Sequence, residues 1–178
     1  VEYKYDGVRV VAIVKKNKAT LYSRNGKIFN NFAHIENALS KPEYNNIVFD
    51  GEVMSDDFQA LMKQVYRKSG ANTEDAYLAL FDMLPLKEFN EGRSKLNSLE
   101  RKQELNKLSK TFGSEIKLVD YEIINFDNEQ GQEKFSEMNK EALEKGFEGL
   151  MIKPNNNYYE CKRSHAWLKI KPYIEVTL

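Results

Sequence analysis

A single cysteine, Cys161, stands among 178 residues. A lone thiol cannot close an internal disulfide, so disulfide scaffolds and cysteine-ligated zinc ribbons are excluded and a reducing compartment is expected. The two histidines, His34 and His165, have no second His or Cys at ligand spacing, so no zinc is assigned. The four prolines and nine glycines do not gather into a linker, and no internal repeat is found. No apolar run reaches the ~20 residues of a membrane span, and no signal peptide leads the chain. Excess charge is also missing: 27 Lys and Arg balance 27 Asp and Glu. That excludes a polycation that coats nucleic acid wholesale, but not a local basic groove, because clustering and not the sum sets an electrostatic footprint. The first residue is Val1 and not Met, so the chain is expected to be a fragment or a processed product.

What is present is an ordinary globular balance, with 41% hydrophobic and 30% charged residues in 20.7 kDa. A domain of this size buries roughly two-thirds of the surface its unfolded chain exposes. Residues 8–14 are a β-branched run and residues 19–23 resume it after the polar Lys15-Lys16-Asn17-Lys18, a hairpin pattern. Phe32, Ile35 and Leu39 have helical spacing with Pro42 beyond them. Residues 46–54 and 76–84 read as strands, 56–66 and 94–109 as helices, and 116–124 as one bent strand or a pair. The clearest helix is 128–145, with Phe135, Met138, Ala142 and Leu143 on one face and Gly146 as its stop. Residues 149–153, 167–170 and 173–178 complete the strands. The class is α+β with largely antiparallel sheets.

Four windows carry chemistry. In Glu2-Tyr3-Lys4-Tyr5-Asp6-Gly7-Val8-Arg9 a lysine at a strand end precedes an Asp-Gly turn. An amine attacks electrophiles only when neutral, and neighbouring cations or a metal favour that form. In Phe49-Asp50-Gly51-Glu52 a strand again runs into Asp-Gly, and a carboxylate follows. Glu148-Gly149-Leu150-Met151-Ile152-Lys153 brackets a short strand with opposite charges. In Trp167-Leu168-Lys169-Ile170-Lys171-Pro172 the period of two places Lys169 and Lys171 on one face, either a phosphate clamp or a solvated edge. Together the set can bind a nucleoside triphosphate, hold a hard divalent cation on carboxylate oxygens and neutralise charge at a phosphoryl centre. No Gly-rich loop ends in Gly-Lys-Ser/Thr, so a P-loop is excluded.

In order and wording these four windows resemble the collinear motifs of the covalent nucleotidyltransferases, most closely the ATP-dependent DNA ligases, over residues 2–172. The resemblance implies an ATP-grasp-like nucleotidyltransferase domain of antiparallel sheets flanked by helices, with residues 1–178 as the adenylation domain and a C-terminal OB-fold domain absent from this chain. It implies that Lys4 attacks the α-phosphate of ATP and carries AMP, which then passes to the 5′-phosphate of a DNA nick before the 3′-hydroxyl seals the strand. By the same resemblance Glu2 and Tyr3 lie beside the adenine, Arg9 and Glu52 at the ribose, and Arg24 near the ribose and the nick phosphate. Phe81 stacks on the purine, Lys169 and Lys171 grip the α-phosphate with Lys153 nearby, and Glu52 and Glu148 place Mg²⁺. Nicked duplex DNA is the expected partner of a monomeric chain in a bacterial or phage-infected cytoplasm. An mRNA-capping guanylyltransferase, an RNA ligase and a non-catalytic nucleotide-binding module stay open as alternatives.

The remaining features read more plainly. Lys15, Lys16 and Lys18 are expected to form a solvated hairpin tip, and Arg101-Lys102 a solvated helix surface. Phe81 and Trp167 each also fit a core aromatic. Tyr158 and Tyr159 fit either a base-stacking pair or a structural loop. Lys162 and Arg163 join Lys169 and Lys171 as candidates for phosphate contact.

Overall fold

A computed structural model describes residues 1–55 and 75–160 and the backbone of 168–170. The helix expected at 56–66, the strand at 173–178, and Cys161, Lys162, Arg163, His165, Trp167 and Lys171 lie outside the described residues. The chain divides into two compact units.

The larger unit holds the described residues of Gly7–Leu118 together with 155–160. Its strands β2 (Val8–Lys15), β3 (Lys18–Ser23), β4 (Ile28–Phe29), β5 (Ile47–Met54), β6 (Tyr77–Pro85) and β8 (Ile116–Leu118) form one sheet in the order β4-β3-β2-β5-β6-β8. All its pairings are antiparallel except that of β6 with β8. A parallel neighbour needs a crossover. Here α2 (Leu86–Glu91), β7 (Arg93–Asn97) and α3 (Ser98–Ser109) supply it. The β2-β3 hairpin turns on Lys16 and Asn17, both with positive φ, between paired Lys15 and Lys18. That is the tight turn whose twist suits a right-handed ribbon. Asn45 clamps it through bonds of 2.7 and 2.6 Å with the Asn17 amide and side chain.

Alternation along β2 gives the sheet two unlike faces. Val10, Ala12 and Val14 are fully buried with Phe32, Ile35 and Leu39 of the α1 segment (helix Ala33–Leu39). Arg9 and Val11 point the other way and pair with Glu52 and Asp50 of β5. This second face carries charged residues. β5 runs straight through Asp50-Gly51, in keeping with the strand expected at 46–54. A Cβ on Gly51 would come within 2.4 Å of the Ala79 carbonyl oxygen, so close backbone approach explains the glycine.

The helix expected from residue 94 begins at Ser98, because 93–97 pair instead with β10 (Tyr158–Glu160). Asn97 caps α3 by accepting the Glu100 amide at 2.9 Å. Replacing it with alanine should cost about 1 kcal/mol, which lowers the melting temperature by roughly 2–4 °C for a chain of this size in calorimetry.

The smaller unit comprises Val1–Asp6 and Val119–Pro154, joined by β11 (Leu168–Ile170). Strands β1 (Glu2–Lys4) and β11 flank β9 (Gly149–Ile152), both antiparallel to it. The amphipathic α4 (Glu129–Glu144) supplies Met138 and Ala142 to a core with Tyr3 and Leu150. Leu143, expected on that buried face, is 53% exposed. Gly146, with φ 76, follows the helix as expected. No helix among the described residues is long and apolar enough to cross a membrane.

Candidate active site

In the smaller unit, the period of two along β1 separates structure from chemistry. Tyr3 points into the core, where its ring stacks on Phe147 at 4.8 Å and its hydroxyl donates to Glu141 at 2.7 Å. Burial, reinforced by the Glu141 carboxylate, pushes the Tyr3 phenol up to about 12. Its side-chain hydroxyl is thus committed within the unit. Glu2 and Lys4 face the other side. The Lys4 ammonium pairs with the Glu148 carboxylate, and the Glu148 amide donates to the Lys4 carbonyl at 3.0 Å. Lys4 is 14% exposed and Glu148 30%, so the pair is sheltered yet reachable. Glu2 is held by Lys153 at 3.0 Å, both nearly buried. Lys153 is therefore the partner of Glu2. Lys169 sits in register opposite Met151, the residue that Glu2 meets from the other side of β9.

In the larger unit, the polar face of the sheet is built around two aspartates. Asp50 and Asp82 lie directly opposite each other on β5 and β6, and both are buried. Opposed like charges repel, so each needs its own cation. Arg9 grips Asp50 with two parallel bonds of 2.6 and 2.5 Å. Arg101 grips Asp82 with bonds of 2.8 and 3.2 Å. Burial works against the Arg9 charge, but the Asp50 carboxylate outweighs it and raises the guanidinium further above its ordinary value. Tyr159 donates its hydroxyl to Asp50 at 2.6 Å. Burial and then Asp50 raise that phenol, which stays a protonated donor. Glu52 accepts the Gly7 amide at 2.9 Å, tying the end of the first motif to the second. A Cβ on Gly7 would meet the Val53 carbonyl oxygen at 2.3 Å.

Phe81 owes its setting to a count. Asp50 pairs with Asp82 and Gly51 with Leu80, so Phe81 is the extra residue of a bulge in β6. A bulge re-aims a side chain, and bulges are frequent next to active sites. The ring is partly exposed and outside the core cluster, so the plain core-aromatic reading does not hold. The Arg9 guanidinium lies 4.9 Å from its centroid.

Arg24 stands exposed in the turn after β3, where the Ser23 hydroxyl accepts the Asn25 and Lys27 amides. The expected solvated surface at Arg101-Lys102 is a correction: Arg101 is 2% and Lys102 8% exposed. Their positions on α3 gave no sign of partners 19 and 21 residues away. Tyr159 proves to be a buried strand residue and not a loop, and its role had no sequence signal beyond aromaticity.

The family described as ATP dependent DNA ligase domain matches residues 1–171. DNA ligase 2 of Methanosarcina acetivorans is 30% identical over 193 residues, which take in 98% of this chain and 33% of that protein. The SPbeta prophage-derived DNA ligase-like protein LigB of Bacillus subtilis is 31% identical over 97% of this chain and 60% of its own length. The chain thus spans less than two thirds of either relative. Among solved structures, Pmar-Lig_PreS3 is similar with a TM-score of 0.90 and 45% identity over 97% of this chain and 42% of that one. The ATP-dependent DNA ligase of bacteriophage T7, in complex with ATP, aligns with a TM-score of 0.70 and 22% identity, over 96% of this chain and 61% of that one, a likeness of fold.

Proposed function

The chain belongs to the ATP-dependent DNA ligase domain family, and from that premise we propose that residues 1–178 act as an adenylation domain whose Lys4 takes AMP from ATP. The observation that carries this is the Lys4–Glu148 ion pair, set on the side of β1 turned from the Tyr3 core. The Lys4 ammonium first gives a proton to solvent; its neutral Nζ then attacks the α-phosphorus, a nitrogen–phosphorus bond forms, and the bond to the pyrophosphate oxygen breaks. Glu148, already in contact with the amine, is the acceptor for its proton. Glu2, with its charge balanced by Lys153, supports the strand that presents Lys4. Lys169 and Lys171 neutralise the α-phosphate as the fifth bond forms.

The nucleoside falls to the other residues. Arg9, fixed by Asp50, and Glu52 address the ribose, Arg24 the ribose and nick phosphate, and Phe81 the purine face, with the Glu2-Tyr3 backbone beside the adenine. Mg²⁺ is commonly held by one or two carboxylates, with waters and substrate phosphates completing its shell. Glu148 of the smaller unit and Glu52 of the larger each fit that habit singly, being carboxylates that are partly open to solvent. An ion held by either would offset triphosphate charge and polarise the α-phosphate. The later steps, transfer of AMP to a nick 5′-phosphate and sealing by the 3′-hydroxyl, make nicked duplex DNA the second substrate of a monomeric, cytoplasmic enzyme.

The test is incubation with α-labelled ATP or GTP and Mg²⁺, followed by denaturing electrophoresis and peptide mapping. The expected result is label from ATP on the peptide containing Lys4. Label from GTP alone would exclude the ligase reading in favour of capping, and label on another lysine would move the nucleophile.

A further inference from the structure

We propose that Lys102 and Arg101 of α3 are positioning residues that hold the β6 bulge so that Phe81 presents its ring to a purine. The inference rests on the assignment of Phe81 above and names the device that serves it. A lysine ammonium is rarely buried without reason, and Lys102 is 8% exposed. Its Nζ donates to the carbonyl oxygen of Phe81 at 2.6 Å. Phe81 is the residue that the bulge leaves out of the strand pairing. The ammonium therefore fixes the peptide at the one point of β6 where the ladder does not set the backbone.

The neighbouring residue is held as firmly. Asp82 takes the fork of Arg101 on both oxygens, and Asp82 Oδ1 also accepts the Met83 amide at 2.8 Å. Arg101 is itself locked before it reaches Asp82. Its Nη1 donates to the Leu96 carbonyl at 2.8 Å and to the Ser94 hydroxyl at 3.1 Å. Ser94 in turn accepts the Tyr159 amide at 2.8 Å, and the Tyr159 hydroxyl reaches Asp50, the anchor of Arg9. Consecutive cations on one helix thus grip consecutive residues of the bulge. Arg9, over the Phe81 ring, is set by the far end of the same chain of bonds. The Phe81 peptide is thus held by a buried ammonium on one side, and the Arg9 guanidinium lies over its ring.

A positioning role is separable from a structural one by choice of ligand. Inorganic tripolyphosphate shares the phosphates of ATP but has no ring to stack. Calorimetric titration of the chain with each should show Lys102→Met weakening ATP binding about tenfold, the scale of one charge-assisted bond, with tripolyphosphate binding unchanged. Lys102→Arg, which keeps a donor, should restore most of the ATP affinity. Phe81→Leu should weaken ATP alone, and adding Lys102→Met to it should cost nothing further. Should Lys102→Met fail to fold, Lys102→Gln takes its place, with an amide too short to reach the carbonyl and the same expected split. Parallel weakening of both ligands would mark a merely structural lysine and overturn the inference. Full ATP affinity in Lys102→Met beside a loss in Phe81→Leu would also overturn it, while leaving Phe81 in place. Full ATP affinity in Phe81→Leu would instead remove the reading on which the inference rests.

Discussion

Lys4→Arg should abolish covalent labelling by ATP, by at least about a thousandfold, the scale on which loss of a covalent nucleophile is measured. Arginine keeps the positive charge and can keep the pairing with Glu148. Its guanidinium is always protonated near neutrality and is no nucleophile. The substitution therefore separates the two things Lys4 could be, an ion-pair partner and an attacking amine. Lys4→Met removes both and should be equally inactive. Neither change should move stability much, because the pair is partly open to solvent and such pairs contribute about 0–1 kcal/mol. Non-covalent binding of ATP should survive in Lys4→Arg, since the residues assigned to sugar and base are untouched. Intact mass after exposure to ATP and Mg²⁺ reads the outcome directly. An adenylated Lys4→Arg chain would remove Lys4 from the mechanism.

The strand that carries Lys4 was legible because its window is local: Glu2, Tyr3 and Lys4 run extended just ahead of Asp6-Gly7. The strands were legible for the same kind of reason, since the alternation of Val10, Ala12 and Val14 is a property of the segment alone. What escaped is non-local or set by a neighbour. Gly51 lies within the strand expected at 46–54, but the reason for a glycine there, the approach of the Ala79 carbonyl, is set by a neighbouring strand. Leu96 stands at helical spacing with the leucines that follow, but residues 93–97 pair with β10, which lies sixty residues on. Arg101-Lys102 looked solvated because charge on a helix usually is. The partners that bury them sit on a strand whose bulge no sequence pattern announces. Phe81 was chosen from its motif. Its partial exposure follows from that bulge.

The Arg101–Asp82 interaction offers the largest expected change in stability. Arg101→Met keeps the length and much of the apolar volume of the side chain but leaves the Asp82 carboxylate buried without its cation. Removing one member of a buried pair costs about 3–5 kcal/mol, against a total of about 5–15 kcal/mol for a typical native protein. The melting temperature should fall on the order of 10 °C. The cost belongs at the high end here for a specific reason. Asp82 faces Asp50 across the strands, and Arg9 is already committed to Asp50 by two short bonds. The Ser94 hydroxyl and the Leu96 carbonyl lose a donor as well. The damage lies in the stranded charge and not in the missing contact. Arg101→Met combined with Asp82→Leu should then recover much of the loss, because two apolar residues of similar volume can replace a buried pair at little cost. Asp82→Leu alone should be as harmful as Arg101→Met, since it strands the guanidinium instead. A double variant no more stable than the worse single one would refute the charge argument and assign the cost to packing.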